Sequence, residues 1–355
     1  MRLKQAGHPG GRGVWPMLVL LIVTVTAPTV CVLWFMGQAV GNVRLATRQR
    51  LLDVYSARME SARATLSDFW EQKQAGLDRI AGEPEMMRGG TFQQVVESGA
   101  ADSAVILEEA GRLIYPVMPH PLPAGPPDTP DWCRASRLEY EEGDPEAAAV
   151  AYGTIAADSE EAGVVAQALE AQARGLTRAG DVAGAIRVLT EELGAERFED
   201  TTDAQGRFIT PRGRLFALEL MGSDADVFAE TTAHLVARLN DYSEPLLPSA
   251  QRLFLMQRIE RIAPGLADFP TMEAELLALR YVEWQPAAPE EGGLQAIALP
   301  NVRGLPSSDG RVLGLFRSGD IAETMRSLVA SDLNLAGATG ELRPPGKSGA
   351  TEPFL

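Results

Sequence analysis

VWPMLVLLIVTVTAPTVCVLWFM, residues Val14 to Met36, holds 23 consecutive residues without a charged side chain. At about 1.5 Å per residue, a helix of that length covers the roughly 30 Å hydrocarbon core of a bilayer. The stretch therefore predicts a transmembrane helix. Trp15 at one end and Trp34 with Phe35 at the other put amphipathic rings at headgroup level. A cleaved signal peptide competes with this reading, because Val25-Thr26-Ala27 has the small residues of a cleavage site. Pro28 would then be the first mature residue, which the peptidase refuses, and the apolar run continues past it. A lipid-attachment box ending at Cys31 fails, because Pro28-Thr29-Val30 lacks both its Leu-like and its small residue.

Arg2, Lys4 and Arg12 on one side of this helix balance Arg44, Arg48 and Arg50 on the other, so the positive-inside count is tied. The tail 1–13 has no acid, whereas a long acidic remainder starts at Asp53. Of 355 residues, 32 are Lys or Arg and 48 Asp or Glu, a net charge of −16, which becomes −19 once residues 1–36 are set aside. The expected orientation has the N-terminus in the cytoplasm and the bulk outside it. An acidic chain with scattered basic residues offers no stripe for phosphates, which excludes nucleic acid as a partner. At 45% hydrophobic the remainder can form a packed core.

From Gln38 to Ile80 there is no proline, and Leu45, Leu52, Met59 and Leu66 recur every seven residues beside Tyr55, Ala62 and Phe69. This is the a/d seam of a coiled coil, with Arg48 as a misfit, or a stripe that a helix over 37–82 buries against its own domain. Beyond Gly82-Glu83-Pro84, Ala104–Leu107 and Arg112–Tyr115 flank Glu108-Glu109-Ala110-Gly111 and read as a β-hairpin. A second hairpin is expected from Gln295–Leu299 and Arg311–Phe316, turning at Ser308-Asp309-Gly310, with a helix capped by Asp320 after it.

Between these pieces the pattern is helical from Asp131 to Trp284, bounded by a Pro-rich linker at 117–130 and a break at 285–293. Two organisations fit: an α/β domain built from 83–116 and 294–335 with a helical insertion at 131–284, or three segments in series. Residues 336–355 read as a flexible tail. Inside the helical region a motif repeats after 37 residues: Gly143, Asp144, Ala148 and Tyr152, then Gly180, Asp181, Ala185 and Leu189. The glycine ends one helix, the aspartate caps the next, and the alanine lets the two approach. The motif resembles the tetratricopeptide repeat. Leu169, Ala173 and Leu176 take that repeat's first-helix positions, whereas Ala135, Leu138 and Tyr140 sit one step out of register.

No reaction is expected of the chain. His8, His120 and His234, and Cys31 and Cys133, are too far apart in sequence for a His/Cys metal or haem site, so no metal or cofactor is expected. Gly340–Ser348 (GELRPPGKS) spaces its glycines by five residues instead of the four a phosphate loop needs, and no Gly-x-Ser-x-Gly elbow occurs. His234 reads as a surface or core-edge histidine and Cys133 as a small packed residue. The runs Glu139–Glu142, Glu160-Glu161 and Glu290-Glu291 read as solvated faces. Asp200 and Asp203 could approach a cation, though no oxygen-ligand loop surrounds them.

Ala27–Met36, Ala39-Val40 and the Arg44, Arg48, Arg50 helix, then Ser103–Pro116 and Gly310–Asp320 (GRVLGLFRSGD), together resemble the sensing half of bacterial membrane-bound sensor histidine kinases. The phospho-acceptor His box and the ATP boxes of that family have no counterpart, so the resemblance implies a sensor without its transmitter and not an enzyme. It also implies the plasma membrane of a bacterium, a periplasmic Cache or PAS-like domain, and two-component signalling. The fold expected is mainly α with a small α/β part: transmembrane helix, juxtamembrane helix, and a Cache/PAS-like domain interrupted by a tetratricopeptide-like array. The expected partners are the lipid bilayer, a second copy or another protein, and a small-molecule or peptide ligand. A membrane-tethered helical-repeat scaffold is the alternative.

Overall fold

The computed structural model describes residues 14–83, 88–108, 111–120, 129–222, 226–284 and 293–333. The tails 1–13 and 336–355 (with Gly340–Ser348), most of the linker 117–130, the break at 285–292, Glu290-Glu291 within it, and the hairpin residues Glu109-Ala110 lie outside them. Among the described residues the chain is mainly helical with one small antiparallel sheet. They divide into two compact units, 14–66 with 327–333, and 67–326. Helix α1 spans Val14–Ala81 with Pro28 inside it.

In the first unit, Val19–Ala39 is 21 residues long with a mean hydropathy of 2.3, and none of it is buried. It is long and apolar enough to cross a membrane. The hydroxyls of Thr24, Thr26 and Thr29 donate to the carbonyls of Leu20, Ile22 and Val25 at 2.7–2.8 Å. Satisfied within the helix, they cost little in an apolar medium. Of the seam, Leu52 and Met59 are exposed and Leu66 is half-buried, while the side chain of Leu45 lies outside the description.

The second unit continues with α2 (Arg88–Glu97), β1 (Ser103–Leu107) and β2 (Leu113–Tyr115). Then come α3 (Pro130–Arg137), α4 (Pro145–Asp158), α5 (Ala162–Ala179), α6 (Val182–Arg187), α7 (Ile209–Leu220), α8 (Asp226–Asn240), α9 (Ser249–Ile262) and α10 (Met272–Glu283). The chain returns to the sheet with β3 (Gln295–Ala296), β4 (Val302–Pro306) and β5 (Val312–Arg317), and α11 (Ser318–Leu333) follows. The strand order is β2-β1-β5-β4-β3, with every pairing antiparallel. β1 lies against β5, Val105 opposite Leu313, so helices α3 to α10 fall between β2 and β3 in the chain.

The second hairpin differs from the sequence expectation. Its turn forms, with the Asp309 carboxylate accepting from the Ser307 hydroxyl at 2.7 Å and the Arg311 amide at 3.0 Å. The strand across it is β4, however, and Gln295-Ala296 pairs only with the far side of β4. Pro300 and Pro306 bracket β4 and disguise it as loop, yet Pro306 ends the strand, where its missing N–H does little harm. The following helix starts at Ser318, ahead of the expected cap, so Asp320 complements the positive end of the helix from its first turn instead of capping it.

Alternation along the strands builds two faces. Ala104, Ile106, Val312 and Phe316 pack with Leu77 and Ile80 of α1 and with Phe92 and Val95 of α2. Val105, Leu313 and Leu315 meet Leu277 and Tyr281 of α10. Asp78 holds the hairpin turn, accepting from the Ser308 amide at 2.6 Å and its hydroxyl at 2.8 Å. A larger core joins α5 to α9 through Leu169, Leu189, Leu218, Leu235 and Leu255. Replacing the fully buried Leu77 with Ala should destabilise this unit by about 2–5 kcal/mol. Urea unfolding of the full chain in detergent measures this, and an unchanged midpoint would mean that residues 67–81 do not cover the sheet.

Candidate functional site

The repeated motif is built from matching local contacts. Gly143 (φ +65°) and Gly180 (φ +89°) take the left-handed conformation that ends the preceding helix. Asp144 then accepts from the Ala147 amide at 3.0 Å and Asp181 from the Gly184 amide at 2.9 Å, capping α4 and α6. Ala148, Tyr152, Ala185 and Leu189 are buried. The offset of the first copy also has a cause. Leu138–Glu142 is a π turn, which takes up one residue more than an α turn. Ala135 and Leu138 accordingly precede their glycine by eight and five residues, and Ala173 and Leu176 precede theirs by seven and four.

Two grooves lie on these helices. One, of about 720 Å³, runs along α4 over Leu138, Ala147, Val150, Ala151 and Ile155, with Asp131, Arg134, Asp158 and Glu161 also lining it. The other, of about 740 Å³, lies between α6 and α8 and carries charges of both signs, among them Asp181, Glu230, Arg187 and Arg214, with His234 also lining it. The His234 side chain is 64% exposed, with its nearest acid, Glu230, 3.9 Å away on the next turn.

Beside the first groove the π turn directs a carboxylate inward. Sequence reading assigned Glu139 to a solvated face, but its side chain is fully buried. Arg174 reaches it at 2.6 and 2.9 Å, Arg178 at 2.9 Å and the Tyr152 hydroxyl at 3.0 Å. Burial alone would raise its pKa, but the Arg174 hydrogen bonds and charge, with Tyr152 and Arg178, outweigh burial and hold it below the ordinary 4.5. The Tyr152 hydroxyl, buried beside that negative charge, is pushed up to about 12. Glu160 and Glu161 are exposed, as a solvated face requires.

A second buried cluster lies where the helices meet the sheet. Arg252 of α9 and Glu275 of α10 are both fully buried, with Nε and Oε1 3.5 Å apart. The hydroxyls of Tyr115 and Tyr242 donate to Glu275, the latter at 2.9 Å, and Arg252 donates to the carbonyls of Leu239 and Asp241. The guanidinium stacks on the Tyr242 ring, 4.0 Å from its centre. Burial raises the Glu275 pKa and outweighs the Arg252 charge and both hydroxyls. Neither this carboxylate nor Glu139 lines either groove.

The remaining candidates resolve individually. Asp203 is unsuited to a cation, because Arg207 and Arg212 occupy its carboxylate at 2.9 and 2.8 Å. Among the described residues no group of three or more His, Cys, Asp or Glu could hold a metal ion. Cys133, expected to be packed, is exposed, because Ala135 and not Cys133 faces the core from α3. The buried clusters were missed because Glu139 sits among exposed acids, and Glu275 is far in sequence from Tyr115. The signal that could have pointed to Glu139 is the four-residue spacing of Arg174 and Arg178, which places both guanidiniums on one helix face within reach of a shared acceptor.

Compared with protein-family models, curated proteins and solved structures, the chain matches none.

Because the folded pKa of Glu139 is depressed, its contribution to stability is complete well above 4.5 and is lost as pH falls through the folded value. Glu139→Gln should cost about 1–2 kcal/mol at neutral pH, a figure reduced for the half-exposed arginines. It should also flatten the decline in urea midpoint on acidification. Parallel acid profiles of the variant and the unaltered chain would contradict the assignment.

Proposed function

We propose that the chain is a single-pass membrane sensor or receptor-type protein of the bacterial plasma membrane. In this reading the N-terminus is cytoplasmic, and residues 67–326 bind a ligand or partner outside the cytoplasm. The observation that carries the reading is α1. The exposed apolar residues Val19–Ala39 belong to the same uninterrupted helix as Leu77 and Ile80, which are buried on the sheet. A helix that is a membrane span at one end and a structural part of the binding domain at the other suits a protein that communicates through that helix.

Two further features support the resemblance to histidine-kinase sensing regions. The antiparallel order β2-β1-β5-β4-β3, with helices α3 to α10 between β2 and β3, supports a small α/β domain interrupted by a helical insertion. The paired Gly-Asp caps and buried Ala148 and Ala185 support a tetratricopeptide-like insertion. The second reading, a tethered helical-repeat scaffold without signalling, is favoured by the two grooves, which both lie on the helices and not on the sheet.

Two copies anchored by the same helix in one bilayer run parallel. Leu52, Tyr55 and Met59, each about 60% exposed, are placed to meet their counterparts along the seam. Reporter fusions after Leu335 should be active outside the cytoplasm; a reporter active only in the cytoplasm would overturn the orientation. Leu52→Asp with Met59→Asp should halve the mass measured by light scattering in detergent. An unchanged mass would remove self-association through α1 from the proposal.

A further inference from the structure

Helical arrays bury one face of each hairpin against the next, and an end that nothing covers is normally polar. The end formed by α3 and α4 departs from this. Val150 is 68% exposed, and with Ala147, Ala151 and Ile155 it floors the groove of about 720 Å³. These positions fall on one face of α4 at the three- and four-residue spacing with which a helix receives another helix. Alanine at 147 and 151 leaves room for close backbone approach. The lining is acidic, with Asp131, Asp158 and Glu161 against the single cation Arg134. The groove between α6 and α8 carries less of this bias, with Arg187 and Arg214 set against Asp181, Glu191 and Glu230.

We infer that the α4 groove receives an amphipathic helix of a protein partner, which lays its apolar face on Val150 and Ile155 and sets Lys or Arg against Asp158 and Glu161. The inference rests on the partner-binding reading above and names the chemistry of the partner. Apolar contact supplies the affinity, and the acidic rim fixes the sign of charge the partner must carry.

The test is a selection of displayed helical peptides of ~15 residues, about four turns, on the full chain in detergent, with Val150→Asp protein as counter-selection. Enriched sequences should show apolar residues at three- and four-residue spacing and a net positive charge. By fluorescence anisotropy they should bind Val150→Asp at least about tenfold more weakly than the unaltered chain. Asp158→Asn should bind about threefold more weakly, and added salt should weaken binding further. Val150 is exposed, so these variants should keep their thermal unfolding profile, and Val150→Ala, which adds no charge, should give an intermediate loss if Val150→Asp fails to fold. Enrichment of acidic or neutral peptides, equal binding to the Val150 variants, or no enrichment would overturn the inference. So would a halved mass for Val150→Asp, which would assign the groove to a second copy. A gain in affinity on replacing Pro121–Asp128 with a Gly/Ser segment would assign it to the chain itself. Membrane orientation does not enter the binding measurements, and the Val150→Asp mass is compared with that of the Leu52→Asp, Met59→Asp variant, so a failure here is distinguishable from a failure of the α1 seam.

Discussion

Arg252 is fully buried, and a guanidinium taken out of water must find acceptors or its desolvation goes uncompensated at a cost of several kcal/mol. Its partners come from separate parts of the chain. The Leu239 and Asp241 carbonyls follow α8, Glu275 lies on α10, and the ring of Tyr242 stacks beneath it. Glu275 in turn accepts from Tyr115 at the end of β2, and Tyr115 stacks on Phe92 of α2 at 4.4 Å. This one ion therefore ties the sheet, α2 and the last three helices before β3 into a single polar network within an apolar core. Its hydrogen bonds to the Leu239 and Asp241 carbonyls hold the start of the loop after α8, and its approach to Glu275 adds a polar constraint between α9 and α10.

Glu139 does the same work on a smaller scale at the other end of the helices. The π turn rotates one acid of Glu139–Glu142 inward, where Arg174 and Arg178 of α5 meet it. The two buried carboxylates respond to burial in opposite ways. Arg174 and Arg178 overcome the desolvation of Glu139, whereas the single, longer approach of Arg252 does not overcome that of Glu275. Both are buried fixtures of the fold, and neither lines the grooves on the helices.

How far the sequence could be read depended on whether a feature was local. The apolar run at Val14–Met36, the glycine and aspartate caps at 143–144 and 180–181, and the β-rich runs at 104–107 and 112–115 are each encoded within a few residues. Where a local signal was ambiguous, the reading failed. Two prolines masked β4, a run of acids masked Glu139, and Cys133 was judged by residue type without knowing which face of α3 it occupies.

The sequence by itself determined that there is an apolar helix long enough for a membrane, a mainly helical remainder and a small β component, because uncharged length, helical periodicity and turn residues act over short distances. The tertiary structure alone decided that β1 lies beside β5, that Arg252 finds Glu275 and Tyr242, and that Val150 is exposed among the described residues. Those outcomes depend on which distant side chains can exclude water together, and no short stretch of sequence contains that information.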